Sequence, residues 1–415
     1  MNRDRRQLPT VILILALGTL AGASLARADV VTEANARAAE IASRTPSTPF
    51  SVRAMALTQV AVFEAVDAIT RRYPPIHARL EAAPGAAVAA AVAAATHAVL
   101  AKLRPDQLAA IDADYQAELA AVPDGAARTD GVALGERAAA AILDWRGDDG
   151  ALAAETYRPH TTAGLYVPTT VPAVPQWGRR RPWVLTTGDE LRPGPPPALT
   201  SDLWTRDFNE IKALGAKENS RRTPEQTAAA RFWTATVPVV YWHVARSVAD
   251  APGRDVAANA RLLAAAGMAM DDALIAVFDA KYAYEFWRPI TAIRNADLDG
   301  NDATARDPGW VPFIDTPMHP EYPCAHCIVS AALGAVLEAE IGAGPTPPLR
   351  SESPTAPGEV RTWTSVGDFE REVDEARICD GVHFRNSTEV GTAMGRKIGA
   401  LVAKSLGIGG PGGAR

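Results

Sequence analysis

Apolar residues recur at helical spacing over most of the chain. Behind Thr48, a helix-capping residue type, Val52, Met55, Ala56, Val60, Phe63 and Val66 share one face. Residues 86–103, 106–122 and 133–145 repeat the pattern, with Pro or Gly between them. Eight prolines between Pro168 and Pro197, with Trp177 and Arg179 to Arg181 among them, exclude a helix there. Helical periodicity resumes at 202–214 and 224–234, runs unbroken from Arg254 to Trp287, and returns at 325–341 and 390–406. Alternating β-branched segments bounded by turns are almost absent. The expected class is mainly α, as two bundle-like halves: a helical region over 29–165, a Pro-rich crossover over 166–200 and a helical domain over 201–415. Ala61-Val62-Phe63-Glu64-Ala65 is echoed by Ala276-Val277-Phe278-Asp279-Ala280, at a comparable place in each half.

The first 28 residues form a separate unit. Arg3, Arg5 and Arg6 precede an apolar stretch from Val11 to Leu20, and Ala26-Arg27-Ala28 is a small-x-small cleavage site. This is the pattern of a secretory signal peptide, too short for a transmembrane span. Arg5-Arg6 leaves both the general and the twin-arginine export routes open. An exported protein, periplasmic or extracellular, is expected. Removing the four arginines and one aspartate of this segment takes the formal net charge from −6 to −9. That charge argues against a nucleic-acid partner, and 47% hydrophobic with 22% charged residues excludes a disordered chain. An anionic ligand would have to be met by a local cluster of cations. The oligomeric state is left open.

Three elements carry candidate chemistry. Lys281 and Arg288 are seven apart, within about 20° of one face if the helix continues through both. Apolar Val277, Phe278, Phe286 and Trp287 surround them, and buried cations require anionic partners. Lys281 with Glu285 is the ordinary alternative. Next, His319-Pro-Glu-Tyr-Pro-Cys324-Ala325-His326 leads into a helix, whose first turn presents free N–H groups to an anion. His326 there could exchange a proton. Lastly, Arg377 and His383 would stand about 240° apart on a straight helix. They converge only if the chain breaks near Gly381, with Arg377 on a loop and His383 near the next helix start. Cys324, Cys327 and Cys379 suggest one bridge and one leftover thiol, with the pairing open.

In this order, the three elements resemble the Lys-x6-Arg-Pro, Pro-Ser-Gly-His and Arg-x5-His signature of the vanadium haloperoxidase and type 2 phosphatidic acid phosphatase superfamily. The resemblance covers about residues 260–405. The second element departs from it, with Cys324 for Ser and Ala325 for Gly. The resemblance implies that Lys281, Arg288 and Arg377 clamp an oxyanion, with Cys324 and the Ala325 N–H at the same site. It makes His383 the vanadium ligand, or else the nucleophile that forms a phosphohistidine. His326 becomes the general acid–base, and His319 falls at the halide site, where His resembles the bromoperoxidases. The expected activity is vanadate-dependent oxidation of halide, bromide favoured, by hydrogen peroxide. The alternative is an acid phosphatase acting on phosphate esters without a cofactor. The long N-terminal half suits the haloperoxidase branch.

Two further classes compete. Cys324-x2-Cys327 with Cys379-x3-His383 has ligand types suited to a structural zinc site. An oxyanion-binding protein without turnover is the other. Asp297 to Asp302 lacks the Gly and Glu of a calcium-binding EF-hand loop and reads as a polar loop near the pocket mouth.

Overall fold

The computed structural model describes residues 29–44, 47–236 and 238–409; the expected signal peptide lies outside them. Thirteen α-helices and one antiparallel hairpin make up the regular structure among the described residues. Helices α1 (Val30–Ser43), α2 (Thr48–Thr70), α3 (Val88–Leu103), α4 (Leu108–Ala120) and α5 (Ala126–Arg146) precede the crossover. Helices α6 (Asp202–Leu214), α7 (Pro224–Phe232), α8 (Val239–Ala249), α9 (Val256–Tyr284), α10 (Pro289–Arg294) and α11 (Ala325–Ile341) follow it. Strands β1 (Leu349–Ser353) and β2 (Ala356–Trp363) form the hairpin, and α12 (Val366–Cys379) and α13 (Arg385–Ser405) close the chain. No described helix is long and apolar enough to cross a membrane.

Helix α9 is the axis. At 29 residues it runs about 43 Å, and it is buried on all sides because Ala, Leu, Met and Val surround its whole circumference. It packs on α2, α11 and α13, so the two echoed pentapeptides lie on helices that touch each other. Two of its three aspartates, Asp271 and Asp272, are fully buried in its apolar surface, and both hold the crossover. Asp271 takes a bidentate contact from Arg180 at 2.7 and 3.1 Å, while Asp272 accepts the N–H groups of Trp183, Val184 and Leu185. Arg180 also reaches Asp149 at 2.6 Å, tying the end of α5 to the same point. The Pro-rich segment, with a single 3-10 turn at Trp177–Arg179, is thus strapped along α9. One continuous apolar core runs from α1 through α9 to α13.

Helices α11 and α13 approach closely because Gly391, Gly395 and Gly399 form one stripe on α13. A Cβ at Gly395 would lie 2.2 Å from the Ile328 carbonyl oxygen, so only glycine permits this spacing. Both helices begin at the candidate site. The hairpin, α1, α8, α10 and α12 have no counterpart in the expected elements. The hairpin and α12 support the site indirectly, since Trp363 of β2 and Phe369 of α12 pack their rings on Trp233 at 5.9 and 5.8 Å.

Candidate active site

Lys281, Arg288, Arg377, His326 and His383, spread over about a hundred residues, converge with His319 on one buried cluster. Two departures from helical continuity bring them together. The long helix ends at Tyr284, not at Trp287, because Glu285 adopts a left-handed conformation at φ 50° and returns its N–H to Lys281 O. Arg288 then becomes the N-cap of α10. Lys281 and Arg288 therefore meet across a chain reversal, which corrects the expectation of a shared helix face. Arg377 sits in the last turn of α12 rather than on a loop. Gly381, at φ 84°, reverses the chain so that the His383 N–H donates back to Arg377 O at 3.2 Å. A Cβ on Gly381 would come within 2.4 Å of Gly215 O, so glycine is required twice over.

The hydrogen bonds of the cations define the electrostatics. Lys281, wholly buried, donates to Pro320 O at 2.9 Å and Glu321 O at 2.7 Å, leaving the alternative partner Glu285 unused. Arg288 donates to His319 O at 2.8 Å, Val382 O at 2.9 Å and His319 Nδ1 at 3.0 Å, and lies 3.4 Å from His383 Nε2. Neither cation forms an ion pair among the described residues. Burial, then the charge of Arg288, holds the Lys281 ammonium well below its ordinary pKa. Burial lowers Arg288 to about 10. Only Arg377 has a carboxylate in contact, Asp380 at 2.7 Å, and it also donates to Trp233 O. Its Nε is buried without an acceptor.

Burial disfavours the charged form of all three histidines, and the tautomers of the neutral rings follow from their partners. His383 Nδ1 donates to Glu321 Oε1 at 2.8 Å, so Nε2 carries the lone pair. His326 Nε2 donates to Ala235 O at 3.2 Å, leaving the lone pair on Nδ1. Arginine has no acceptor, so His319 Nδ1 accepts from Arg288; its 3.1 Å approach to Pro320 O is therefore not a hydrogen bond. Burial is the first cause of the depressed pKa of all three, followed by Arg288 for His383, Arg377 for His326 and Lys281 for His319. The His319 ring meets Phe278 edge-on at 5.2 Å.

At the start of α11, the Ala325 and His326 N–H groups have no acceptor among the described residues, as expected for an anion site. Cys324 is bridged to Cys327, which settles the open pairing, and Cys379 is a buried free thiol. The bridge contradicts the zinc alternative, since a thiolate pair is no longer available. No group of three or more His, Cys, Asp or Glu among the described residues is placed to hold a metal ion. Cys324 also supplies no hydroxyl donor. Asp299, from the polar loop, is committed to Trp204 Nε1 and Thr304.

Comparisons with known proteins point to one superfamily. The model of the VCPO second helical-bundle domain matches residues 261–407. Vanadium chloroperoxidase of Curvularia inaequalis is 26% identical over 208 residues, 42% of this chain and 34% of that protein; the chain matches only about a third of the relative's length. A solved bacterial vanadium-dependent iodoperoxidase superposes with a TM-score of 0.78 at 25% identity, covering 91% of this chain and 96% of its own. Over residues 261–407 the chain matches the second helical-bundle domain of the vanadium haloperoxidases, and its fold as a whole resembles theirs. An apo-type bacterial vanadium-dependent chloroperoxidase shares the fold with a TM-score of 0.72 at 16% identity, over 88% of this chain and 95% of its own.

The superfamily cofactor, vanadate, can be tested against this donor set. Two buried cations without carboxylates, an orphaned Arg377 Nε and free N–H groups at α11 all ask for an oxyanion, and the unprotonated His383 Nε2, 3.4 Å from Arg288, could ligate its central atom. The residues fit. Sequence reasoning missed Glu321, which orients His383, and the Trp233–Ala235 segment, whose carbonyls hold Arg377 and His326. The available signal for Glu321 was a lone acid in a Pro-flanked run with no basic residue at helical spacing.

Proposed function

We propose that this protein is a vanadate-dependent haloperoxidase that uses hydrogen peroxide to oxidise bromide or iodide to the hypohalous acid. The observation that carries the reading is the pair Lys281 and Arg288, both buried without a carboxylate, beside the bare Nε2 of His383. Lys281, Arg288 and Arg377 would hold vanadate, with His383 Nε2 as its ligand and the Ala325 N–H as a backbone donor. When bound, vanadate supplies the Lewis acidity that activates peroxide. His326 Nδ1 is the base that takes the proton of entering hydrogen peroxide, and its burial keeps it neutral for that task. His319, held by Arg288 and packed on Phe278, forms the halide side of the pocket. The reaction balances as hydrogen peroxide, halide and a proton giving hypohalous acid and water. The 91% coverage by the iodoperoxidase neighbour supports a haloperoxidase over a phosphatase. We also propose export, on the pattern of residues 1–28.

Paired assays on one preparation test this. Halogenation of a phenol dye should require vanadate, peroxide and bromide or iodide together. Phosphate-ester hydrolysis without vanadate should be negligible. Ester hydrolysis with a trapped phosphohistidine, and no halogenation, would replace the reading with the phosphatase. Phosphate binding without either turnover would leave a binding protein.

A further inference from the structure

Glu321 bonds to three separate segments of the cluster and lies just outside the Pro323–His326 signature match. It is fully buried. Its Oε1 accepts from His383 Nδ1 at 2.8 Å and from the Phe384 N–H at 3.1 Å. Its backbone carbonyl accepts Lys281 Nζ at 2.7 Å, and its N–H donates to Phe286 O at 2.9 Å. The residue is therefore fixed from α9, from the reversal after it and from the entry to α13.

A neutral imidazole has one N–H, and Nε2 faces the donor-only Arg288 Nη1 at 3.4 Å and so must accept, which leaves the N–H on Nδ1 toward a Glu321 oxygen that also receives the Phe384 N–H. The proton thus stays on Nδ1, and Nε2 keeps its lone pair beside Arg288. The other buried acid here, Asp380, is occupied by Arg377. We propose that Glu321 is the positioning residue of His383, holding the ring in the Nδ1–H tautomer so that the Nε2 lone pair is presented to the oxyanion. Its purpose rests on the oxyanion reading; its geometry does not. A purely structural role, capping α13 through Phe384, would not set the tautomer.

The experiment uses the full chain labelled with 15N-histidine, without anion, with His383 assigned from the signals missing in His383→Asn. Long-range 1H–15N correlation separates a protonated from a bare ring nitrogen. Wild type should show protonated Nδ1 and bare Nε2. Glu321→Gln, which keeps an acceptor oxygen, should retain that tautomer and bind orthovanadate no more weakly. Glu321→Met should gain the Nε2–H tautomer and bind orthovanadate about 10–100-fold more weakly, the usual effect of removing a partner behind a metal ligand. Protonated Nε2 in wild type, or wild-type tautomer and affinity in Glu321→Met, would overturn the proposal. If the Met variant does not fold, the wild-type and Gln spectra decide. Wild type binding neither orthovanadate nor phosphate would overturn the oxyanion reading, while a bare Nε2 in that same sample would still support the tautomer assignment.

Discussion

Lys281→Met removes one buried cation that has only carbonyl partners. Without an anion, two effects oppose each other. Orphaning the Pro320 and Glu321 carbonyls costs about 1–3 kcal/mol each, and relieving a buried ammonium returns several kcal/mol. The anion-free proteins should therefore melt within a few degrees of each other. The anion breaks this near-balance. At a hundred times its Kd, vanadate stabilises wild type by about 2.7 kcal/mol. Losing one charge-assisted hydrogen bond, about 1.5–3 kcal/mol, raises Kd roughly 13–160-fold. At the same concentration the variant then retains only about 0.3–1.3 kcal/mol. Unfolding entropy of about 2.1 cal/mol/K per residue makes the melting shift about 3 °C for wild type and below about 1.5 °C for the variant. Scanning calorimetry at fixed ionic strength, with Kd measured separately by titration, reads both quantities. Equal vanadate-induced shifts in the two proteins would refute the assignment of Lys281 to the anion.

The remaining predictions concern the histidines, the disulfide and a buried acid. His383→Ala should abolish vanadate binding, whereas His326→Ala should keep Kd within a few-fold and slow halide oxidation about 10²–10⁴-fold; equal loss of affinity in both would contradict their separate roles. Cys324→Ser opens a short loop, so stability should fall by at most about 2 kcal/mol, with vanadate affinity within about threefold. A thiol count on denatured, unreduced wild type should find one thiol, from Cys379, and three after reduction. Asp374 accepts Thr392 Oγ1 at 2.8 Å, and burial raises its pKa to about 7. The folded protein binds this proton more readily than the unfolded chain, so stability is retained below about pH 4 and lost as pH rises through 7. Asp374→Asn should therefore raise the melting temperature more at pH 8 than at pH 5, and a pH-independent difference would argue against a buried charge.

Much of the helical architecture and most of the site were legible in the order of residues. Helices α6 and α11 have the bounds that their periodicity predicts, because an apolar face and a capping residue are local signals. Lys281, Arg288, His326, Arg377 and His383 were legible too, since their types and spacing state a chemical demand for an anion. Periodicity also carried α9 through to Trp287, and there it failed. The left-handed Glu285 that stops the helix is not a glycine and gives no local sign. Gly381 did mark a break, but not that α12 would run through Arg377 to Cys379. Glu321 was passed over because its partners lie 40 and 62 residues away, Lys281 behind it and His383 ahead. The bridge partner of Cys324, with two cysteines to choose from, was likewise undecided until the structure joined it to Cys327 and left Cys379, at the end of α12, a free thiol. Local sequence sets which face of a helix is buried and which groups must be neutralised. Which groups then touch depends on chain reversals and on how closely helices can approach, and those are properties of the packed core.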